Sequence, residues 1–152
     1  MKSKAQEGGS DLSLSEYLCF AVYSTNLAFG KVYRPILDEL GLTYTQYVTL
    51  VALWEQDGQT VGSLGEKLFL ESNTLTPILK KLEAMGYLER VRDPADERQV
   101  RIGLTKNGWS LREKARIDLS DACGLTAKEF PRLQQEIVAL RDNLLKSLDR
   151  AG

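Results

Sequence analysis

Residues 71–104, ESNTLTPILKKLEAMGYLERVRDPADERQVRIGL, contain the pattern that decides the fold of this chain. Apolar residues recur at steps of three or four through its first half, as in a helix with one buried face. They are Leu75, Ile78, Leu79, Leu82 and Met85. Gly86 fits the position that follows the end of such a helix. Polar and apolar residues then alternate on the far side of the turn at 93–96, so the stretch predicts a helix followed by a β-hairpin.

Two shorter helices are predicted before this stretch. Thr43 and Gln46 form a capping box that begins a helix running to about Gln56. A short helix over 61–69 carries Leu64, Leu68 and Phe69 on one side, and residues 71–74 offer caps for the helix that follows. The short helix over 61–69 and the helix that follows it are joined by a tight turn and are followed by a hairpin. This is the order of elements in a winged helix-turn-helix unit.

Long helices are predicted on either side of this unit. Apolar residues spaced from Leu14 to Ile36 indicate a first helix, which Pro35 is expected to bend or end. After the hairpin, a helix is predicted from Thr105 to about Cys123, and a capping box at 126–129 begins a last helix. The predicted fold class is mostly α with a small β-hairpin: a winged helix-turn-helix with long N- and C-terminal helices.

Composition narrows the function classes. The chain has 152 residues, the size of one domain, with 20 basic and 21 acidic residues and a formal net charge of −1. Because histidine is absent, the commonest general base and metal ligand are missing, and we expect neither an enzyme nor a metal or cofactor site. Arginines are nevertheless concentrated in the hairpin; they are Arg90, Arg92, Arg98 and Arg101.

The start of the chain and its two cysteines bear on the compartment. The first residues, MKSKAQEGGSD, lack the apolar stretch of a signal peptide, and the longest apolar run, 18–23, is too short to span a bilayer. We therefore expect a cytoplasmic protein without a membrane partner. Cys19 and Cys123 lie 104 positions apart, so in a reducing compartment each is either buried and inert or reactive.

Several motifs resemble those of the MarR family of bacterial regulators. The segments LTKNG at 104–108 and DPADERQVRIGLT at 93–105 are similar to that family's best-marked region. LCFAVYSTNL at 18–27, KVYRPILDELGLTYTQY at 31–47 and LESNTLTPILKKLEAMG at 70–86 resemble the organic-hydroperoxide-sensing repressors within it. Cys123 is similar to the second cysteine of the two-cysteine subtype, and the resemblance covers nearly the whole chain.

The resemblance implies a fold, a partner and a mechanism. It implies one MarR-like domain over 1–152, with dimerisation helices in 1–43 and 106–152 and the DNA-binding part in 44–104. Proteins of this kind are homodimers that hold double-stranded operator DNA when reduced and release it after an organic hydroperoxide oxidises the N-terminal cysteine. In this chain, that cysteine is Cys19. A disulfide with Cys123 as resolving cysteine then follows, with a bond between subunits favoured.

Tyrosines surround the sensing cysteine in sequence, five of the six lying within positions 17–47. A free thiol has a pKa of about 8.5, so a sensor thiolate needs stabilisation. Positions 5–30 hold no Lys or Arg that could stabilise the thiolate. Cys19 is expected a turn inside its helix, where the helix dipole is weaker, so the phenolic O–H groups of the tyrosines are the remaining candidates for hydrogen bonding to it. Tyr23 shares a face with Cys19, whereas Tyr33 lies about 21 Å further along a continuous helix and reaches a thiol only from a partner subunit. The resemblance gives Tyr33 and Tyr44 the role of hydrogen bonding to the thiol; alternatively, Cys19 is a buried apolar residue and the tyrosines are interface aromatics.

The winged helix supplies the candidates for DNA contact. The helix that begins near residue 72 is expected to enter the major groove of DNA. Arg98, whose guanidinium is expected to be held by an ion pair with Asp96, is expected to enter the minor groove. Arg92 or Arg101 is expected to meet phosphate. The candidates for base contact are Ser72, Asn73, Thr74, Thr76 and Lys80. Alternatively, the first two are only helix caps and the hairpin is a solvated turn with balanced charges.

Two other functions fit parts of the sequence. A winged-helix regulator could bind a non-covalent aromatic ligand at the tyrosine-rich interface, with both cysteines structural. A small thiol peroxidase or thiol-disulfide oxidoreductase could use Cys19 and Cys123 catalytically, although the chain lacks a CxxC motif.

Overall fold

The fold is taken from a computed structural model that describes residues 11–151. Residues 1–10, on which the expectation about a signal peptide rests, lie outside the described part. Contacts divide the chain into two compact units, one ending at Ala115 and the other beginning at Arg116. None of the helices within 11–151 combines the length and apolar character required to cross a membrane.

The first long helix, α1, spans Leu18–Leu40 and so begins later than predicted. A separate 3₁₀ turn, Leu14–Glu16, precedes it, and Tyr17 between them is extended. Pro35 does not end α1, contrary to one of the two expected outcomes. The last turn is instead anchored by tertiary packing, because Leu37 is buried against the rest of the unit. Gly41, in the left-handed conformation, ends the helix.

Three further helices form the centre of the first unit. They are α2 (Tyr44–Glu55), α3 (Val61–Leu68) and α4 (Ser72–Ala84). The predicted capping box of α2 is confirmed, since the Gln46 N–H donates to Thr43 Oγ1 and the Thr43 N–H to Gln46 Oε1. The predicted leucine stripe of α4 is buried, and it packs with α2, α3 and the sheet. The fully buried side chains include Leu50, Leu53, Leu64, Leu75, Leu79, Leu82, Leu88 and Ile102.

Details around α4 differ from the prediction. Phe69 does not share the apolar side of α3 but follows its end with a φ of 58° and an exposed side chain. Glu71 is the N-cap residue, so Ser72 is already the first residue of the helix. Pro77 is the sixth residue of the helix and lies in its second turn.

The hairpin is confirmed, and it belongs to a three-stranded antiparallel sheet. Strands β2 (Leu88–Arg92) and β3 (Val100–Leu104) pair along their whole length. A third strand, β1 (Gln59–Thr60), pairs with the other edge of β3 and was not predicted. Two residues give no periodic signal, and the position of β1 is fixed by its partner.

Ion pairs fix the hairpin on the helices. Glu83 of α4 accepts hydrogen bonds from the Arg90 backbone N–H at 2.9 Å and from its guanidinium at 3.0 and 3.2 Å. At the hairpin turn, the Asp93 side chain, only 8% exposed, accepts from the Ala95 N–H and from Arg101 Nε, both at 2.9 Å. The hairpin is therefore bonded to α4 through Arg90, and its turn is closed by the bonds to Asp93.

The helix after the hairpin is shorter than predicted. α5 spans Lys106–Lys114, and residues 115–128 are not helical, so the expected extension to about Cys123 is wrong. The side chain of Asp118 accepts a hydrogen bond from the Ser120 N–H at 2.9 Å, a local bond that competes with helix formation. The last helix, α6 (Glu129–Ala151), follows the predicted capping box of Thr126 and Glu129, which is confirmed.

Helix α5 meets the rest of the first unit at a close approach of backbones. A Cβ atom on Gly108 would lie 2.1 Å from the Tyr87 carbonyl oxygen. The Gly108 carbonyl accepts a hydrogen bond from the buried Trp54 Nε1 at 2.9 Å. Thr105 Oγ1 donates to the Gly86 carbonyl at 2.6 Å. We call these five residues the α5 junction.

The α5 junction predicts the effect of one methyl group. Gly108→Ala should lower the free energy of unfolding by at least about 2 kcal/mol, because the new Cβ overlaps backbone that cannot rotate away. Gly62→Ala is the matched control, since a Cβ there meets only Thr60 Oγ1 at 4.0 Å and should leave stability unchanged or slightly raised. Urea unfolding followed by circular dichroism measures both. Equal midpoints for the two variants would contradict the close approach.

The wing predicts a pH dependence. The Ala95 N–H, and after it Arg101, hold the pKa of Asp93 below its usual range, although burial opposes them. A carboxylate with a lowered pKa contributes stability above its ordinary pKa of about 3.9 and loses it as the pH falls through the lower folded value. The difference in unfolding free energy between wild type and Asp93→Asn should therefore be largest near neutral pH and shrink below about pH 4. Glu97→Gln, which changes an exposed side chain on the same turn, is the control for the loss of one negative charge. A difference for Asp93→Asn that stays constant with pH would contradict the expectation.

Candidate functional site

The first turn of α4 presents polar side chains to the outside. Ser72, Asn73 and Thr74 are all exposed. Because Glu71 is the N-cap and none of these side chains caps the helix, the reading of Ser72 and Asn73 as simple caps is not supported. Exposed hydroxyl and amide groups in the first turn of a second helix of a helix-turn-helix are suited to base edges.

Thr76 and Lys80, the two other candidates on α4, differ in how exposed their side chains are. Thr76 is half-buried, and its hydroxyl donates to the Ser72 carbonyl at 2.7 Å, so its methyl group and the acceptor lone pairs of the hydroxyl remain for contact. Lys80 is exposed two turns after the start of the helix. Its ammonium group is a compact cation with three donors on a flexible four-carbon stem.

The tip of the wing carries the predicted ion pair. The Arg98 side chain is 94% exposed, with Nε 3.5 Å from Asp96 Oδ1. The same carboxylate oxygen accepts the Arg98 backbone N–H at 3.1 Å, so Asp96 holds both the backbone and the guanidinium of Arg98. The wing thus projects one cation whose direction is restricted but whose guanidinium is accessible.

The two remaining arginines have different surroundings. Arg92 is exposed at the end of β2. Arg101 is bound on both sides, by Asp93 through Nε and by the Gly58 carbonyl through Nη1 at 2.9 Å. Arg101 therefore ties the wing turn to the turn before β1. This role of Arg101 was not predicted, because no local sequence pattern links Arg101 with Asp93 or with Gly58.

Cys19 lies at the beginning of α1. It is exposed and is the second residue of the helix, not a turn inside as expected. The cause is the extended Tyr17, which separates α1 from the preceding 3₁₀ turn. The backbone N–H groups of this first turn have no acceptor within the helix. Tyr23 lies one turn further on and is exposed, with its ring 6.3 Å from that of Phe20.

A second group of tyrosines lies where α1 meets α2. The rings of Tyr33 and Tyr44 are 5.1 Å apart in an edge-to-face arrangement, and Tyr47 is 6.2 Å from Tyr33. Tyr33 and Tyr44 line a surface groove of about 520 Å³ together with Asn26, Leu27, Phe29 and Gly30. We call this the tyrosine groove. Tyr47 was noted in the sequence only as a member of the tyrosine cluster.

The tyrosine groove and Cys19 of one chain cannot meet. Helix α1 is continuous between Cys19 and Tyr33, so fourteen residues separate them by about 21 Å along the axis. The structure thus brings Tyr33 and Tyr44 together, and leaves Tyr23 as the only predicted tyrosine within a turn of the thiol.

Cys123 lies in the segment between α5 and α6. Its N–H donates to the Leu119 carbonyl at 3.0 Å, and Gly124 after it is left-handed with a φ of 65°. Cys123 is half-buried, and it lies in a turn rather than on a helix as predicted. Both cysteines are free thiols. Within residues 11–151, no three acidic, cysteine or histidine side chains come together as a metal site would require.

Comparison with known proteins connects these features to a family. Residues 31–115 match the family model described as transcriptional regulator SarA/Rot. The organic hydroperoxide resistance transcriptional regulator of Bacillus subtilis is 46% identical over 125 residues, covering 82% of this chain and 84% of the relative. The regulator TtmR of Methylorubrum extorquens is 44% identical over 150 residues, covering 94% of this chain and 76% of the relative.

Solved structures of AbfR, a protein of Staphylococcus epidermidis, are similar over most of the chain. Reduced AbfR bound to DNA is 37% identical with a TM-score of 0.72, covering 87% of this chain and 94% of that one. AbfR has also been solved overoxidised and bound to DNA, and in a disulfide form. The predicted winged-helix fold is confirmed by these similarities, and this chain belongs to the MarR-like winged-helix transcriptional regulators of the SarA/Rot type.

Proposed function

We propose that this chain is a redox-responsive repressor that binds operator DNA as a reduced homodimer and leaves it when an organic hydroperoxide has oxidised Cys19 and a disulfide with Cys123 has followed. The observation that carries the proposal is the separation of Cys19 from the tyrosine groove on one rigid helix. A thiol at one end of α1 and its phenolic donors at the other form one site only when two chains run past each other. The similarity to a hydroperoxide resistance regulator supplies the class of oxidant.

The exposed apolar surface supports the dimer. On α1, apolar side chains with helical spacing are exposed, among them Leu18, Val22, Phe29 and Val32. Helix α6 buries none of its residues and exposes Leu133, Ile137, Leu144 and Leu148 in the same way. Exposed apolar stripes of this length are typical of surfaces that a partner covers. We therefore assign residues 1–43 and 106–152 to dimerisation and 44–104 to DNA binding.

The surfaces of the first unit suit double-stranded DNA. The first turn of α4 would enter the major groove, with Ser72, Asn73, Thr74, Thr76 and Lys80 facing the bases. Arg98, held by Asp96, would enter the minor groove, and Arg92 would meet phosphate. Arg101 is engaged within the wing, so we give it mainly the role of positioning the turn. A dimer presents each surface twice and would read a two-fold symmetric operator.

The chemistry at Cys19 is a two-step oxidation. The Cys19 thiolate attacks the terminal oxygen of the hydroperoxide, the O–O bond breaks, and the products are a sulfenic acid and the corresponding alcohol. Tyr23 of the same chain and the Tyr33–Tyr44 pair of the partner subunit would donate hydrogen bonds to the thiolate. The Cys123 thiol then attacks the sulfenic sulfur, a disulfide forms, and water leaves. We favour a bond between subunits.

Disulfide formation, rather than oxidation of Cys19 itself, is the releasing step in this proposal. AbfR has been solved bound to DNA when overoxidised, so oxidation and DNA binding coexist in that relative. In this chain, a disulfide requires the two Cα atoms to lie within about 7 Å. Cys123 lies in a turn in which its N–H donates to the Leu119 carbonyl and the next residue, Gly124, is left-handed.

Family membership decides between the alternatives of a regulator and an enzyme. The relatives are named as transcriptional regulators, so the chain is a regulator and not a thiol peroxidase. We propose the cytoplasm as the location of this DNA-binding regulator, a reducing compartment in which both cysteines would start as thiols.

The sensing role predicts the behaviour of two cysteine variants. Cys19→Ser should bind DNA from upstream of its own gene as tightly as the reduced wild type and remain bound after cumene hydroperoxide, because it lacks the attacking sulfur. Cys123→Ser is the matched control: Cys19 should still form a sulfenic acid, which a dimedone probe detects, but the protein should stay on DNA. Fluorescence anisotropy measures binding. Release of Cys19→Ser at the doses that release the wild type would remove the thiol mechanism and favour a non-covalent inducer.

The wing predicts a loss of affinity without a loss of assembly. Arg98→Ala should weaken operator binding about tenfold or more, because an accessible guanidinium held by Asp96 is lost from the minor groove. Glu97→Ala changes the neighbouring charge on the same turn and should bind at least as tightly as the wild type. Anisotropy titrations and light scattering give affinity and oligomeric state. An unchanged Kd for Arg98→Ala would exclude the wing from DNA contact.

A further inference from the structure

A second groove lies on the first unit and shares no residue with the tyrosine groove. It has a volume of about 310 Å³ and is lined by the segment that follows α4 and by one face of α5. Its lining residues are Met85, Tyr87, Asn107, Ser110, Leu111 and Lys114. Positions 107, 110, 111 and 114 have the three- and four-residue spacing of a single helix face. We call this the lysine groove.

The lysine groove carries a positive charge and no carboxylate among its lining residues. Lys114 is exposed, and its ammonium group forms no hydrogen bond or ion pair with another residue of 11–151. Glu83, near the end of α4, is already bound by the Arg90 guanidinium. Glu113 precedes Lys114 directly, and adjacent residues of a helix do not face each other. The charge of Lys114 is therefore available to an anionic ligand, which an ammonium group binds as a point charge.

The rest of the lining indicates a ligand with an apolar part. Leu111 is only 8% exposed, and Met85 and Tyr87 are half-buried. A methionine side chain is unbranched and adapts to the shape of what it contacts. Ser110 is a weak candidate for holding an anion, because its hydroxyl already donates to the Lys106 carbonyl at 3.0 Å.

The volume limits the size of the ligand. Binding pockets for small molecules have volumes of roughly 300–1,000 Å³, and the lysine groove lies at the lower end of that range. An alkyl chain of a few carbons against Met85 and Leu111, with one carboxylate at Lys114, matches the volume, the charge and the aliphatic lining together.

The polar character of this face also distinguishes it from the surfaces assigned to the dimer. Asn107, Ser110 and Lys114 are exposed, whereas the exposed apolar stripes lie on α1 and α6. Charged residues are depleted in the buried centre of protein interfaces. This face of α5 is therefore suited to a small polar ligand rather than to the partner subunit.

We propose that the lysine groove binds a short-chain aliphatic carboxylate. The carboxylate group pairs with Lys114, and the alkyl chain lies against Met85 and Leu111. The site is separate from Cys19 and its oxidation, so it gives the regulator a second ligand that binds without covalent chemistry.

Hexanoate is the probe, and two-dimensional NMR of the isotope-labelled, reduced full chain measures its binding. Titration should shift the backbone amide signals of Tyr87, Asn107 and Leu111 in a saturable way. Hexanol has the same chain without the charge and should bind about fivefold more weakly or less, the effect of one lost charge-assisted contact. Acetate has the charge without the chain and should bind about tenfold more weakly or less, because the burial of the methylene groups is lost.

Variants of Lys114 test the assignment of the charge. Lys114→Gln should bind hexanoate about fivefold more weakly and no better than it binds hexanol. Lys114→Arg retains the charge and should bind hexanoate as the wild type does. Lys146→Gln is the matched control, because it removes an exposed lysine of α6 and should leave the affinity for hexanoate unchanged.

Equal affinities of wild type and Lys114→Gln for hexanoate would overturn the inference, and so would shifts that fail to saturate. Shifts centred on Asn26 and Gly30 would place the ligand in the tyrosine groove and would overturn it as well. Cys19→Ser should bind hexanoate as the wild type does. A failure of hexanoate binding is therefore distinguishable from a failure of the proposed redox mechanism, which the response of DNA binding to hydroperoxide tests separately.

Discussion

The close backbone contact between Gly108 and the Tyr87 carbonyl is the constraint on which the arrangement of α4, α5 and the β-hairpin depends. Only a residue without a side chain permits this approach, and it brings the start of α5 against the turn that ends α4 and begins β2. Trp54 of α2 donates to the Gly108 carbonyl, and Thr105 donates to the Gly86 carbonyl, so four elements share one small junction. The segment LTKNG, on which the family resemblance partly rests, includes Thr105 and Gly108 of this junction.

The second organising feature is the length of α1. A helix that runs unbroken from Leu18 to Leu40 keeps the thiol and the tyrosine groove of one chain far apart. The sensing site that we propose is thus assembled only by the dimer, and its state depends on how two chains are arranged. The rings of Tyr33 and Tyr44 also link α1 to α2, the helix that carries Trp54 into the α5 junction.

Local patterns predicted most of the fold. The capping boxes at Thr43 and Thr126 and the leucine stripe of α4 were correct, because each depends on residues three or four apart. Pairing over longer distances was not predictable in this way: β1 exists because Gln59 and Thr60 align with β3, and Arg101 binds the Gly58 carbonyl across 43 residues. The end of α5 was misplaced because an Asp118 side-chain bond, rather than a glycine or proline, competes with the helix. The wing pair of Asp96 and Arg98 was predictable, whereas the strain at Phe69 was not, since nothing in its side chain suggests a left-handed backbone.

Reversibility of DNA binding with the oxidation state of the protein tests the mechanism most directly. Fluorescence anisotropy would follow the reduced wild-type protein on DNA from upstream of its own gene, first after about one equivalent of an organic hydroperoxide and then after a thiol reductant. We expect binding to be lost on oxidation, together with the appearance of a disulfide-linked dimer, and to return on reduction. Tight binding that persists after complete oxidation to the disulfide would contradict a redox-controlled repressor.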